Sequence, residues 1–468
     1  MTAESATTAS PSPRTLVRWD PEDKAFWAAE GKRVATQNLW ISIPALLLSF
    51  AVWMVWSVVV VRLPEVGFPY STDQLFWLAA LPGLSGATLR IFYSFLVPIF
   101  GGRVWTAIAT ASLLVPAIGI GVAVQDPTTS YGTMLGLALL CGFGGGNFAS
   151  SMANISFFFP KERKGVALGL NAGLGNLGVS VMQFVVPLVI TTGVFGTLAG
   201  APQRAAQGAP LWLQNAAFVW VPFIVACTLA AWFGMHDIAS VRASFRDQAV
   251  IFRRKHNWIM CWLYTGTFGS FIGFSAGLPL LVKGLFPAVN PVRYAFLGPL
   301  VGALARPVGG WLADRLGGAR ITLWNFVAMA AFAVGVLAFL PRGGSPGSFP
   351  GFLAMFLGLF LTSGIGNGSS FRMVPIMFGT LHERLAEGRG AEALAQARKD
   401  AATESAAVIG FVSAVAAYGA FFIPRAFGVS LKATGSPAAA LVGFVAVYAS
   451  CILITWWFYA RRGAEVAC

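Results

Sequence analysis

Apolar stretches long enough to cross a bilayer recur twelve times along this sequence, at 39–61, 75–98, 104–124, 132–156, 164–192, 213–234, 257–283, 292–314, 319–340, 349–376, 402–428 and 438–460. Each needs about 20 residues, coiled as a helix, to span roughly 30 Å of hydrocarbon. None alternates with the period of two that a strand requires. Charged residues make up 11% of the 468, far below the roughly one quarter usual in soluble domains, so lipid is the solvent for most of the chain. The expected fold class is an all-α membrane protein of twelve transmembrane helices.

A formal net charge of +14 raises the question of a nucleic-acid partner, and its distribution answers it. With the N-terminus placed in the cytoplasm, 22 of the 32 Lys and Arg fall in cytoplasmic segments, seven lie on the opposite side, and three, Arg90, Arg306 and Arg372, lie inside spans. This is the positive-inside asymmetry of an even-span protein with both termini in the cytoplasm, so no nucleic-acid partner is expected. The first 13 residues are small and polar and read as a disordered tail without a cleaved signal. Cys141, Cys227, Cys261, Cys451 and Cys468 have no metal-ligand spacing and read as packing residues, so no metal or cofactor is expected.

The chain divides into a tail (1–38), a six-helix half (39–234), a polar linker (235–256), a second six-helix half (257–460) and a C-terminal tail (461–468). The halves repeat. Phe50 and Phe268 are 218 residues apart, Arg90 and Arg306 are 216 apart, Asn147 and Asn367 are 220 apart, and Gly101-Gly102 match Gly317-Gly318. Such a 6+6 repeat predicts a transporter with its site between the halves near the bilayer midplane. The segment from Gly310 to Gly318, with Asp314 and Arg315, resembles the loop signature of the major facilitator fold. Asp314 and Arg315 are therefore expected to gate or to hold helices together. In the first half the matching position of the Asp is Pro98.

A guanidinium at bilayer depth costs about 2.5–3.5 kcal/mol or more and normally has a partner. None of the eighteen acidic residues reaches the midplane by this reading, all falling in loops, tails or span ends, so the missing counter-charge of Arg90 and Arg306 is a mobile anion. Arginine suits that role because its planar fork donates two parallel hydrogen bonds and keeps its charge when desolvated. The plain alternative is a pair of structural arginines snorkelling to the surface. Arg372, near the end of span 10, fits snorkelling or a pathway lining better than direct ligation. Phe50, Phe148, Tyr264 and Phe268 lie at similar depth, and apolar rings beside a planar anion would lower the local dielectric. Span 5 carries Gly165, Gly169, Gly173, Gly175 and Gly178, and span 11 has a weaker small-residue face including Gly410. Close small-xxx-small packing is the expected role, with sliding during alternating access. Asn171, Asn176 and Ser413 add neutral donors.

The strings N-L-W-I-S-I-P-A-L-L-L, L-S-G-A-T-L-R-I-F-Y-S-F, N-F-A-S-S-M-A-N-I-S-F-F-F-P, G-L-G-N-L-G-V-S-V-M-Q and G-F-V-S-A-V-A-A-Y-G-A-F-F-I-P resemble the NarK family of nitrate/nitrite porters from about residue 18 to 462. The resemblance implies a major facilitator fold in the bacterial inner membrane, with Arg90 and Arg306 as nitrate ligands and Phe148, Asn176, Tyr264 and Phe268 around them. Ala416 and Ala420 stand where that family's second motif favours Gly. The resemblance also implies nitrate import against nitrite export, supplying a cytoplasmic nitrate reductase. Expected partners are nitrate, nitrite and membrane lipid, and the chain is expected to work as a monomer. Rival readings are a proton-coupled nitrate symporter, another small-anion antiporter, a channel and a membrane-bound enzyme. An enzyme would need a nucleophile, base or metal cluster in the core, and the sequence offers none.

Overall fold

The computed structural model describes residues 14–93, 96–204, 208–239, 249–343, 345–466 and 468. The reading of residues 1–13 as disordered, and residues 240–248 of the polar linker, lie outside them. Among the described residues, twelve helices are long and apolar enough to cross a membrane: α1 Lys24–Val66, α2 Thr72–Tyr93, α3 Gly102–Ala123, α4 Tyr131–Phe158, α5 Lys161–Val189, α6 Asn215–Gly234, α7 Lys255–Leu285, α8 Pro291–Leu316, α9 Gly318–Phe339, α10 Phe349–Ala386, α11 Ala391–Thr434 and α12 Ala438–Ala460. Their number and order match the sequence reading, but several run further. Helix α1 begins fifteen residues before the expected 39, capped by Asp23, whose carboxylate accepts from the N–H groups of Ala25 and Phe26. Polar residues at these ends leave the apolar stretch without leaving the helix, because the ends project past the hydrocarbon.

The repeat is visible in the backbone. Gly101 and Gly317 precede α3 and α9 with φ of 86° and 91°, a left-handed region open to glycine at little cost. Beside each sits an ion pair. Asp314 of α8 takes the guanidinium of Arg372 from α10, while in the first half, where Pro98 replaces the Asp, Arg103 pairs at 3.1 Å with Asp237 just past α6. A carboxylate from the segment that follows α6 thus sits beside Gly101 where the first half lacks its own. Arg315 lies over the Trp311 ring, 4.3 Å from its centroid. Asp237 and Ile238 also pair as a short parallel strand with Thr15 and Leu16, and Trp19 donates to the Phe157 carbonyl at 3.0 Å, so the segment before α1 is docked rather than free.

The two halves meet along α5 with α8, α2 with α11, and α1 with α7. At the end of the bundle far from the chain termini they are bound by charge. Glu65 takes Arg62 from its own helix and Lys283 from α7, both at 2.7 Å. Asp73 takes Arg425 at 2.8 Å and Lys432 at 3.7 Å, both from α11. Deeper down, Gln183 donates to the Ser275 carbonyl, Ser180 to that of Phe296, and Thr88 shares a hydrogen bond with Tyr418.

The glycine face of α5 departs from expectation. Gly175 and Gly178 do pack closely, on Leu46 and on the Leu47 carbonyl of α1. A methyl group at Gly165, Gly169 or Gly173 would meet nothing within 4 Å, and the same holds at Gly410 of α11. Gly165, Gly169 and Gly173 thus face open space, while Gly175 and Gly178, turned to another side of α5, pack on α1 of their own half. The ion pairs that Glu65 and Asp73 make between halves lie at the far end. Within α11, Ala420 lies where a Cβ on Gly83 of α2 would strike its backbone, so this Ala occupies a tight crossing between halves.

Candidate functional site

Arg90 and Arg306 both point into the bundle, at 0% and 9% exposure. None of the ion pairs among the described residues includes either of them. The snorkelling alternative is therefore not realised. Arg90 donates from Nε to the Gly145 carbonyl of α4 at 2.9 Å and from Nη1 across the halves to the Ser413 carbonyl of α11 at 3.2 Å. Its Nη2 is buried without a partner. Arg306 donates from Nη2 to the Tyr264 hydroxyl at 3.3 Å, and its Nη1 is likewise buried and unpartnered. An unmade hydrogen bond from a buried charged donor is expensive, so two of them converging on one region mark a place for an acceptor.

Aromatic rings enclose these donors. The Arg90 guanidinium carbon lies 4.8 Å from the Phe148 ring centroid, 5.2 Å from Trp53 and 5.6 Å from Phe268; that of Arg306 lies 4.9 Å from Phe371. The Phe148 and Phe268 rings face each other at 27° with centroids 6.5 Å apart. A planar guest in van der Waals contact with both needs rings about 7 Å apart, only slightly wider. Tyr264 stacks on Phe268 at 5.4 Å and 8°, carrying its hydroxyl from that wall to Arg306. Part of α7 here, Thr265–Gly269, is wound as a π-helix, a local widening often found at functional sites.

Of the other expected site residues, Asn176 is buried, with its Oδ1 unpartnered. Phe50 lies behind Phe148, edge-on at 6.1 Å, and supports the wall. Ser413 differs from expectation: its hydroxyl donates to the Gly410 carbonyl of its own helix, and what it presents to the site is its carbonyl, held by Arg90. Asn171 donates its amide N–H to the Ser151 hydroxyl at 2.8 Å, and its Oδ1, like that of Asn176, is buried without a partner. Arg372 is exposed and paired with Asp314, away from the two buried arginines. Sequence reasoning missed Trp53, Gly145 and Phe371. Trp53 had a signal, since it follows Phe50 by three residues and so shares its helix face. One buried carboxylate to which the sequence reading gave no partner is Glu404 in α11, held by Arg254 at 2.6 Å and His382 at 2.7 Å.

Comparison with known proteins agrees with the fold. Residues 41–397 match the family model described as Major Facilitator Superfamily. The chain is 54% identical over 454 residues to the "Nitrate/nitrite transporter NarU" of Escherichia coli (strain K12), covering 96% of this chain and 97% of that protein. It is 53% identical to the protein of the same name from Salmonella typhimurium, covering 96% of each, and 44% identical to the "Probable nitrate/nitrite antiporter NarK2" of Thermus thermophilus, covering 97% and 98%. With its twelve spans and bacterial relatives it is a multi-pass protein of the bacterial inner membrane. Nearly complete coverage at this identity makes the chain a transporter of the major facilitator superfamily, and within that superfamily it belongs to the NarK family of porters.

Proposed function

We propose that this transporter exchanges nitrate for nitrite, with Arg90 and Arg306 holding the anion between the Phe148 and Phe268 rings. The observation that carries the reading is the pair of buried, unpartnered guanidinium nitrogens beside that slot. Nitrate and nitrite are planar monoanions whose oxygens accept from such donors, and the relatives' names point to the same two anions. With both termini in the cytoplasm, as the distribution of Lys and Arg favours, the closed far end is periplasmic and the open glycine face of α5 is cytoplasmic. The conformation is then inward-facing.

Exchange follows from charge. Passing through a closed state with the site empty leaves two buried guanidinium donors without an acceptor and two like charges uncompensated, at a cost of several kcal/mol, so the empty carrier stalls and the loaded one reorients. A swap of two monoanions moves no net charge and needs no proton. In proteoliposomes, labelled nitrate should enter vesicles loaded with nitrite or nitrate, with no response to protonophore, and should scarcely enter vesicles holding chloride, phosphate or nothing. The proton-coupled alternative needs a proton acceptor on the pathway, and Glu404, the buried carboxylate of α11, is already engaged by Arg254 and His382. Concentrative uptake into empty vesicles under an acid-outside gradient would decide for that alternative.

A further inference from the structure

We propose that Trp53 is a positioning residue for the anion site, fixing the direction in which Arg90 presents its free N–H. The inference rests on the reading of Arg90 as an anion ligand. Trp53 is fully buried on α1 one turn beyond Phe50, and its indole N–H donates to the Pro82 carbonyl of α2 at 2.6 Å. Pro82 is two turns before Arg90 on that helix, so the indole is tied to the element that carries the arginine.

The space around this ring is made by glycines on two helices. A Cβ at Gly86 of α2 would come within 2.5 Å of the indole nitrogen, one at Gly145 of α4 within 2.7 Å of the ring, and one at Gly144 within 3.2 Å of the Trp53 Cβ. Real Cβ atoms do not approach so closely at the first two, so the crossing of α2 and α4 is shaped around the indole. Two of the contacts on Arg90 converge here. The ring lies under the guanidinium at 5.2 Å, and Gly145, against which it packs, supplies the carbonyl that holds Nε. With Nε and Nη1 engaged and the ring beneath, the guanidinium has one orientation and Nη2 is the donor left over. Phe148 and Phe268 also flank Arg90, but Trp53 alone of the three carries a ring hydrogen bond that fixes its own place.

A smaller ring in this slot keeps the positive charge in the site and releases its aim. Charge alone attracts any small anion, whereas a fixed fork distinguishes planar nitrate from pyramidal chlorate. The test measures the Kd of nitrate and of chlorate, together with the thermal midpoint, for the full-length protein in detergent and for Trp53→Phe, Trp56→Phe and Arg90→Lys. Trp56 is equally buried one turn further along α1 and serves as the packing control. Expected for Trp53→Phe is nitrate binding at least tenfold weaker with the preference over chlorate reduced, while Trp56→Phe loses thermal stability with both constants within twofold of wild type. If Trp53→Phe loses stability but keeps both constants, Trp53 is packing and the proposal is wrong. If Arg90→Lys keeps wild-type nitrate affinity, the ligand reading itself fails and the proposal falls with it. Should Trp53→Phe not fold, Trp53→Tyr, which keeps more of the ring's length, is read on the same two scales.

Discussion

Arg90 and Arg306 occupy equivalent places in the repeat, yet their surroundings are unlike. Arg90 is clamped by two backbone carbonyls and three rings, and one of those carbonyls belongs to the opposite half. Arg306 has one hydroxyl and one ring, both from its own half, and retains slight exposure. The two-fold pattern supplies two forks; the packing makes one of them rigid and leaves the other adjustable. On the proposed reading, the anion would be met by one tightly held donor and one held by fewer contacts.

The largest expected effect comes from exchanging the forks for point charges. Arg90→Lys and Arg306→Lys should each abolish measurable nitrate binding, because an ammonium lacks the bidentate geometry. They should differ in stability. Arg90→Lys also disturbs two carbonyl bonds and a cross-half link and should cost on the order of 1–3 kcal/mol, whereas Arg306→Lys should unfold near the wild-type temperature. Equal losses in thermal unfolding would contradict the asymmetry.

Next come the rings. Phe268→Ala removes one wall of the slot and a face beside Arg90, admits water to compete for the guanidinium, and should weaken nitrate about tenfold, or about 1.4 kcal/mol. Phe371→Ala removes the backing of the adjustable arginine only and should weaken it less. The reverse order in a nitrate titration would shift the rigid role to Arg306. The smallest effect belongs to Tyr264→Phe, which keeps the stack on Phe268 and deletes the hydroxyl that steadies Arg306, at about 1 kcal/mol for one hydrogen bond. An unchanged Kd would mean that the anion, not Tyr264, orients Arg306.

Much of this was legible in the sequence because lipid imposes simple rules. Twelve apolar stretches gave twelve helices, and two arginines without a carboxylate at their depth proved to be buried and free of ion pairs. What escaped was whatever depends on two distant segments meeting. Helix ends such as Lys24 and Ala391 lie beyond the hydrocarbon, where hydropathy says nothing. The lengthening of α11 carries Glu404 inside the helix, where Arg254, 150 residues away, neutralises it. The glycines of α5 illustrate a different limit, since one sequence serves two conformations and Gly165, Gly169 and Gly173 are open in this one. One long-range pair did leave a trace. Glu65 and Lys283 are 218 residues apart, the same offset as Phe50 and Phe268, so repeat-equivalent positions of opposite sign meet across the pseudo-axis.

The ionic clasp at the far end divides its charges unevenly. Glu65, Asp73 and Arg62 belong to the first half, while Lys283, Arg425 and Lys432 belong to the second. Parting the halves at that end would leave one lip weakly acidic and the other carrying three cations. An incoming anion would meet a polarised entrance and be drawn along one wall rather than down the middle. The work of pulling these lips apart is Coulombic and falls as dissolved salt shortens the screening length to about 10 Å at 0.1 M. Ionic strength thereby becomes a control on how often the entrance opens, set outside the site and independent of which anion is carried.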